Sequence, residues 1–191
     1  SYRDEETGAH VRRIGLYAAA MAKALNWPAQ QIDDIRIAAP MHDLGKIGIP
    51  DRILLKKGKL TDAEFSIMKR HTEIGAKMLN DSNIPALDMA AEIALCHHEK
   101  WNGTGYPREI QGEEIPITAR ITSIVDIYDA LVHERVYKKA MSEKDAIALM
   151  ESMAGSHLDP TLFEVFLGLL PVMRRIRTEV HELDDLMVSC L

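Results

Sequence analysis

Five of the eight histidines in this chain, with three acidic residues, fall at helical and adjacent spacings that suit a multi-metal site, and any fold must accommodate that set. In order they are Glu6 and His10, the pair His42-Asp43, His71, the pair His97-His98, and Asp126. No cysteine is needed to complete it. Imidazole and carboxylate without thiolate suit Fe or Mn, and less clearly Zn or Ni. Such ions generate hydroxide from water, so the set points to hydrolysis of a phosphate ester or a related bond.

The stretches that carry these residues read as helices. Val11, Ile14, Ala18, Met21 and Leu25 follow a three-four spacing that stops at Asn26-Trp27-Pro28. Pro28 suits the first turn of a second helix to about His42, with Ile32, Ile35 and Ala39 facing the core. Gly45, Gly48 and Pro50 predict a loop as far as Leu60. Thr61-Asp62-Ala63-Glu64 is a capping box opening a third helix to about Asn80. Pro85 opens a fourth, ending near Glu99, and Trp101 to Pro116 is the longest irregular stretch. A fifth helix, Ile117 to His133, is apolar almost all round and is expected at the centre. Ser142 starts a sixth helix ending near Gly155, Asp159-Pro160 a seventh, and the tail after Pro171 an eighth.

Apolar residues make up 47% and aromatics 5%, with ten Met, a balance that favours helix on helix. No strand alternation or internal repeat interrupts this pattern. The expectation is an all-α bundle of about seven to eight helices. At 191 residues it forms one domain over residues 1–191, with a core to about residue 170 and a C-terminal helix over about 172–191. In that last helix Met173, Ile176, Val180, Leu183 and Met187 form a two-heptad seam, too short for a coiled coil and expected to pack on the domain.

A formal net charge of −6 gives no general affinity for DNA or anionic membranes. A phosphate substrate would need local positive partners: the metals and a few placed Lys and Arg. Cys96 and Cys190 form no spaced motif, which suits a reducing compartment such as the cytoplasm. No apolar run reaches the roughly 18 residues of a membrane span, Pro171 interrupts the longest, and the expectation is of no signal peptide. A ligand candidate stands within six residues of the start, so an upstream module is expected to precede this chain.

Taken singly, each candidate has a bland reading. Glu6 and His10 leave one helix face together, as many surface pairs do. A His-Asp dipeptide is common, and His71 on its apolar stripe reads as a core histidine. His97 and His98 cannot both face the core. Asp126 is the most telling, because a carboxylate between Val125 and Ile127 is costly to bury unless paired or bound to a cation. Jointly they divide into His10, His42, Asp43 and Asp126 for one metal and His71, His97 and His98 for a second, with Asp43 bridging. Two ions roughly 3.5–4 Å apart would clamp a hydroxide and the phosphoryl oxygens. Glu6 is surplus and could bring in a third.

The same residues resemble the HD-GYP family. The resemblance covers almost all of residues 1–160 and includes Glu6-Thr7-Gly8-Ala9-His10 and the run His42-Asp43-Leu44-Gly45-Lys46-Ile47-Gly48-Ile49-Pro50-Asp51. It continues through His71, His97-His98-Glu99, Gly103-Thr104-Gly105-Tyr106-Pro107, Asp126-Ile127-Tyr128-Asp129-Ala130-Leu131 and Arg135-Val136-Tyr137-Lys138. The resemblance implies hydrolysis of cyclic di-GMP to pGpG, and in some members to GMP, by a metal-bridging hydroxide. It implies two or three divalent ions, iron first and manganese as the alternative, with Glu6 marking the three-metal type. Asp43 and Lys46 are the catalytic candidates, Lys46 reaching a substrate phosphate. Arg135 and Lys138 resemble the substrate-binding pair, and Asp129 orients a ligand or water.

The Gly105-Tyr106-Pro107 loop reads either as a binding surface, for substrate or for diguanylate cyclase-type domains, or as a rigid turn packing Tyr106 on the core. His133, His157 and His181 have no motif company. An upstream sensor or receiver module is usual in this family, and a homodimer is compatible with it. The rival readings are a slow-turnover cyclic dinucleotide receptor that signals through partner contacts and a hydrolase of another cyclic dinucleotide.

Overall fold

The computed structural model describes residues 8–80, 83–133 and 140–189, with side chains as far as His181. Glu6, Arg135 and Lys138 lie outside the described residues, as do Cys190 and the side chains of Leu183 and Met187. The described chain is helical, with no strand and only an isolated bridge between Ala154 and Leu158.

Helix α1, Gly8–Ala24, buries Ile14, Tyr17, Ala18 and Met21 completely. It ends where Asn26 takes a φ of 58°, a left-handed turn that Asn tolerates better than most residues. Helix α2, Ala29–Ala38, packs beside α1 through small residues: Ala18, Ala22, Ala38 and Ala39 have no exposed surface. This helix is shorter than the sequence suggested. Pro40 lacks the N–H that would continue it, so the chain tightens into a 3-10 turn, Ala39–Met41, ahead of His42. The expected loop holds a second 3-10 turn, Leu44–Gly48, and a short helix α3, Asp51–Leu54.

The expected third helix is two. Helix α4, Asp62–Lys69, opens on the capping box, with Glu64 N–H donating to Thr61 Oγ1 and Thr61 N–H to a Glu64 carboxylate oxygen. At Arg70 the N–H bonds to Ile67, three residues back, and helix α5, His71–Leu79, begins after that break. The break lets Met68 of α4 join a small cluster with Ile49, Ile53 and Leu54, while α5 packs on helix α6, Pro85–Cys96. Helix α6 also stops earlier than expected, and its last turn delivers His97 and His98.

Helix α7, Ile117–Val132, is central as expected, with Ile121, Ile124, Val125 and Tyr128 fully buried. Helices α8 (Glu143–Met153), α9 (Pro160–Gly168) and α10 (Leu170–Ser189) close the bundle. Asp159 caps α9 by accepting from the Thr161 and Leu162 N–H groups, and Arg120 of α7 donates to its other oxygen. From α10, Met173, Ile176 and Val180 enter the main core, so that part of the seam packs on the domain.

Candidate metal centre

The structure gathers seven of the sequence candidates into two groups. Asp43, His71, His97 and His98 form one group, and His10, His42 and Asp126 the other; in each, the candidate ligand atoms lie within 4.8 Å of one another. Asp43 therefore sits with the second set of histidines rather than the first, but it faces both. Its Oδ1 is 3.2 Å from His71 Nε2 and 3.6 Å from His97 Nε2, while its Oδ2 is 3.4 Å from His42 Nε2. Asp126 Oδ1 stands 3.9 Å from His10 Nε2 and 3.8 Å from His42 Nε2.

Each element delivers its side chain for a local reason. His42 follows the turn that Pro40 forces, His71 opens α5 at the break after Arg70, and His97 caps the end of α6. At these points a backbone carbonyl near a helix end receives the ring. His42 Nδ1 bonds Ala39 O at 2.9 Å, His71 Nδ1 bonds Met68 O at 2.7 Å, and His97 Nδ1 bonds Ala94 O at 3.0 Å. A carbonyl only accepts, so each Nδ1 carries the proton, and in the neutral ring Nε2 presents its lone pair.

Those three Nε2 atoms and Asp43 Oδ1 are buried and make no hydrogen bond, although they converge. Four such atoms would be costly unless a cation took them up. The donor set thus fits divalent ions: oriented imidazole nitrogens around a carboxylate with one oxygen toward each group.

The electrostatics agree with a cation-binding pocket. Burial pulls His97 and His98 below the usual histidine range, which keeps them neutral and able to donate a lone pair. Burial also pulls His42 down, but the negative charge of Asp43 and then Asp126 outweighs it and pushes the ring up to about 9. Burial raises Asp43, yet His42 and Lys46 beside it hold the carboxyl well below the usual range. A pocket that attracts a proton this way also attracts a metal, and the two compete for the same nitrogen.

Around this set lies a supporting layer that the sequence reading only partly found. Asp129, 2% exposed, accepts from His10 Nδ1 at 2.8 Å and takes a two-point contact from Arg13 at 2.6 and 2.9 Å. Burial alone would raise its pKa, but hydrogen bonds from His10, His133 and Arg13 hold it far below the carboxylate range. His133 is therefore part of this cluster, having no motif of its own. Arg13 was missed; its signal was its place three residues after His10, matched by Asp129 three after Asp126.

Lys46 ion-pairs with Asp43 Oδ2. Tyr106 stacks on His98, 4.8 Å between centroids and 25° between planes. Gly105 permits this: a Cβ there would stand 2.4 Å from Lys100 N and 2.5 Å from Glu99 Cα. Glu99, unassigned in the sequence reading though it directly follows His98, is 2% exposed and accepts from Arg108 N–H at 2.7 Å, tying down the loop that carries Tyr106. A separate groove of about 520 Å³ opens between α5, α6 and the loop at Arg108 and Pro116, and no candidate ligand lines it.

A family model described as HD domain matches residues 1–162. The chain belongs to the HD domain family. It is 47% identical over 168 residues to a cyclic di-GMP phosphodiesterase of Thermotoga maritima, covering 88% of this chain and 46% of that protein. It is 44% identical over 165 residues to 3'3'-cGAMP-specific phosphodiesterase 2 of Vibrio cholerae, covering 86% of this chain and 32% of that one. The chain thus spans less than half the length of these relatives. A crystal structure of a cyclic GMP-AMP-specific phosphodiesterase from Vibrio cholerae superposes with a TM-score of 0.65 at 16% identity, over 92% of this chain and 49% of that one. At that identity the superposition speaks for the HD fold. No helix among the described residues is long and apolar enough to cross a membrane.

Proposed function

We propose that this chain is a metal-dependent phosphodiesterase domain that hydrolyses cyclic di-GMP to pGpG, with GMP as the alternative end product. The observation that carries the reading is the convergence of His42, His71 and His97 Nε2 with Asp43 Oδ1, all buried and without hydrogen bonds. The named activities of the relatives support the substrate class. Divalent ions held by the two groups, iron first and manganese as the alternative, would supply a hydrolytic nucleophile at neutral pH and offset phosphoryl charge.

The chain's own residues do the rest. Asp43 offers one oxygen to each group and so fixes their separation. The backbone carbonyls behind His42, His71 and His97 set the tautomers, and Asp129 sets that of His10. Lys46 keeps a positive charge at the Oδ2 edge of Asp43, in reach of a phosphoryl oxygen. Arg135 and Lys138 would bind the substrate, and Glu6 would hold a third ion. An upstream sensor module would supply the input signal, and the Gly105-Tyr106-Pro107 loop would meet cyclase-type domains. Residues 1–191 would form one domain, acting in the cytoplasm.

The test is Asp43→Ala. Product formation should be lost and metal content lowered, because both groups lose a shared anionic ligand. Near-normal turnover in that variant overturns the reading. A second reading, another cyclic dinucleotide as substrate, is favoured by the 44% identity to a cGAMP-specific enzyme and is separated by comparing kcat/KM for the two messengers.

A further inference from the structure

One cation at the rim of the centre is left over from the assignments above. Phe65 and Lys69 stand one turn apart on α4, beside the loop that carries Tyr106. Lys69 Nζ lies 5.0 Å from the Phe65 ring centroid and 5.3 Å from that of Tyr106. The two rings meet edge to face at 6.2 Å, and Tyr106 in turn stacks on His98. Phe65 is 42% exposed. Among the described residues no carboxylate lies within ion-pair distance of Lys69, so its ammonium rests on ring faces alone.

An exposed ring and an unneutralised ammonium, two contacts from a candidate metal ligand, match the two parts of a purine nucleotide: a flat base and a phosphate. The chain's net charge of −6 makes such a cation the more telling. Base-on-aromatic stacking tolerates a solvent-exposed ring, and a lysine serves a phosphate as a point charge. Phe65 stands outside the apolar cluster that Met68 of the same helix joins. We propose that Phe65 and Lys69, backed by Tyr106, form a nucleotide subsite: Phe65 takes the base of one half of the cyclic dinucleotide, and Lys69 the phosphate that is not being cleaved.

The inference rests on the phosphodiesterase reading, and the experiment separates the two. Metal-loaded wild type, Phe65→Ala and Lys69→Gln are compared on cyclic di-GMP and on methyl p-nitrophenyl phosphate, a diester with neither purine nor second phosphate. Each substitution should raise KM for cyclic di-GMP about tenfold, the scale of a stacked base or a charged hydrogen bond, and leave the small diester within about twofold. Lys69→Arg should restore most of the loss. Independently of turnover, Phe65→Trp in a Trp27→Phe, Trp101→Phe background places the sole indole on the rim, and its fluorescence should be quenched saturably by GMP, less so when Lys69→Gln is added. Equal losses on both diesters, no change on either, or an indole insensitive to GMP each overturn the subsite. If wild type hydrolyses neither diester, the phosphodiesterase reading fails, while the GMP titration still reports on the subsite.

Discussion

At the scale of single residues, the feature that organises the His10 group is a buried carboxylate that is not among its candidate ligands. Asp129 holds His10 through Nδ1 and takes both arms of Arg13, so an unpaired change there strands a guanidinium in the core. Asp129→Asn should cost about 3–5 kcal/mol of stability, the scale for breaking one side of a buried ion pair, measured by urea unfolding. It should also weaken metal binding by about 10–100-fold, because the neutral amide keeps a single acceptor oxygen and cannot hold both His10 and Arg13 as the two carboxylate oxygens do. Unchanged metal affinity would mean that α1 packing alone orients the ring. The candidate ligands were legible because helical and adjacent spacings of His and Asp survive in one dimension. Arg13 was not: the apolar stripe placed Val11 inside, yet Val11 is 37% exposed and Arg13 only 7%. Periodicity counts an arginine as surface, and only the partner on α7, 116 residues away, reverses that.

At the scale of elements, the centre depends on how closely the 3-10 turn after Asp43 lies against α5. A Cβ on Gly45 would fall 1.9 Å from His71 O and 2.4 Å from Gly75 N, both backbone atoms that cannot swing aside. The two elements that carry Asp43 and His71 are thus seated on each other through a glycine contact. Gly45→Ala should destabilise by at least about 3 kcal/mol, the upper range of overpacking, and should reduce metal content before global unfolding by pushing Asp43 away from His71. Normal metal content in the folded variant would show that the turn and α5 can part without disturbing the ligands. This contact was hidden in the sequence, where Gly45 reads as a loop glycine. The break at Arg70 was hidden too, since α4 and α5 are both amphipathic and the capping box at Thr61 announces a start but nothing announces a stop. Helix existence was legible from periodicity; the break that puts His71 at the start of α5 goes with packing against α6 and with the small cluster at Met68, which no local pattern announces.

At the scale of the whole molecule, the question is whether α10 belongs to the unit that holds the centre. Its first half is fastened twice. Met173, Ile176 and Val180 lie in the same core as Tyr17 and Tyr128, and Arg174 donates to Glu143 Oε2 at 2.6 Å while Tyr128 donates to Oε1 of the same carboxylate at 2.7 Å. Tyr128 is on α7 between Asp126 and Asp129, so α10 is one carboxylate removed from the helix that serves the His10 group. Met173, with no exposed surface, is the anchor. Met173→Ala should cost about 2–5 kcal/mol, as for other large-to-small changes in a close-packed core. If residues 8–189 act as one unit, that loss appears everywhere at once. The two tryptophans make this measurable: Trp27 packs against the main core, whereas Trp101 sits in the irregular stretch, its N–H on His157 O and its ring beside Arg120. Single Trp→Phe variants leave one reporter each. Both should show the same urea midpoint, and Met173→Ala should lower both by the same amount. An earlier helix-loss transition with the Trp101 midpoint unmoved would make α10 a separable appendage, and the domain that carries the centre would then end near Leu169.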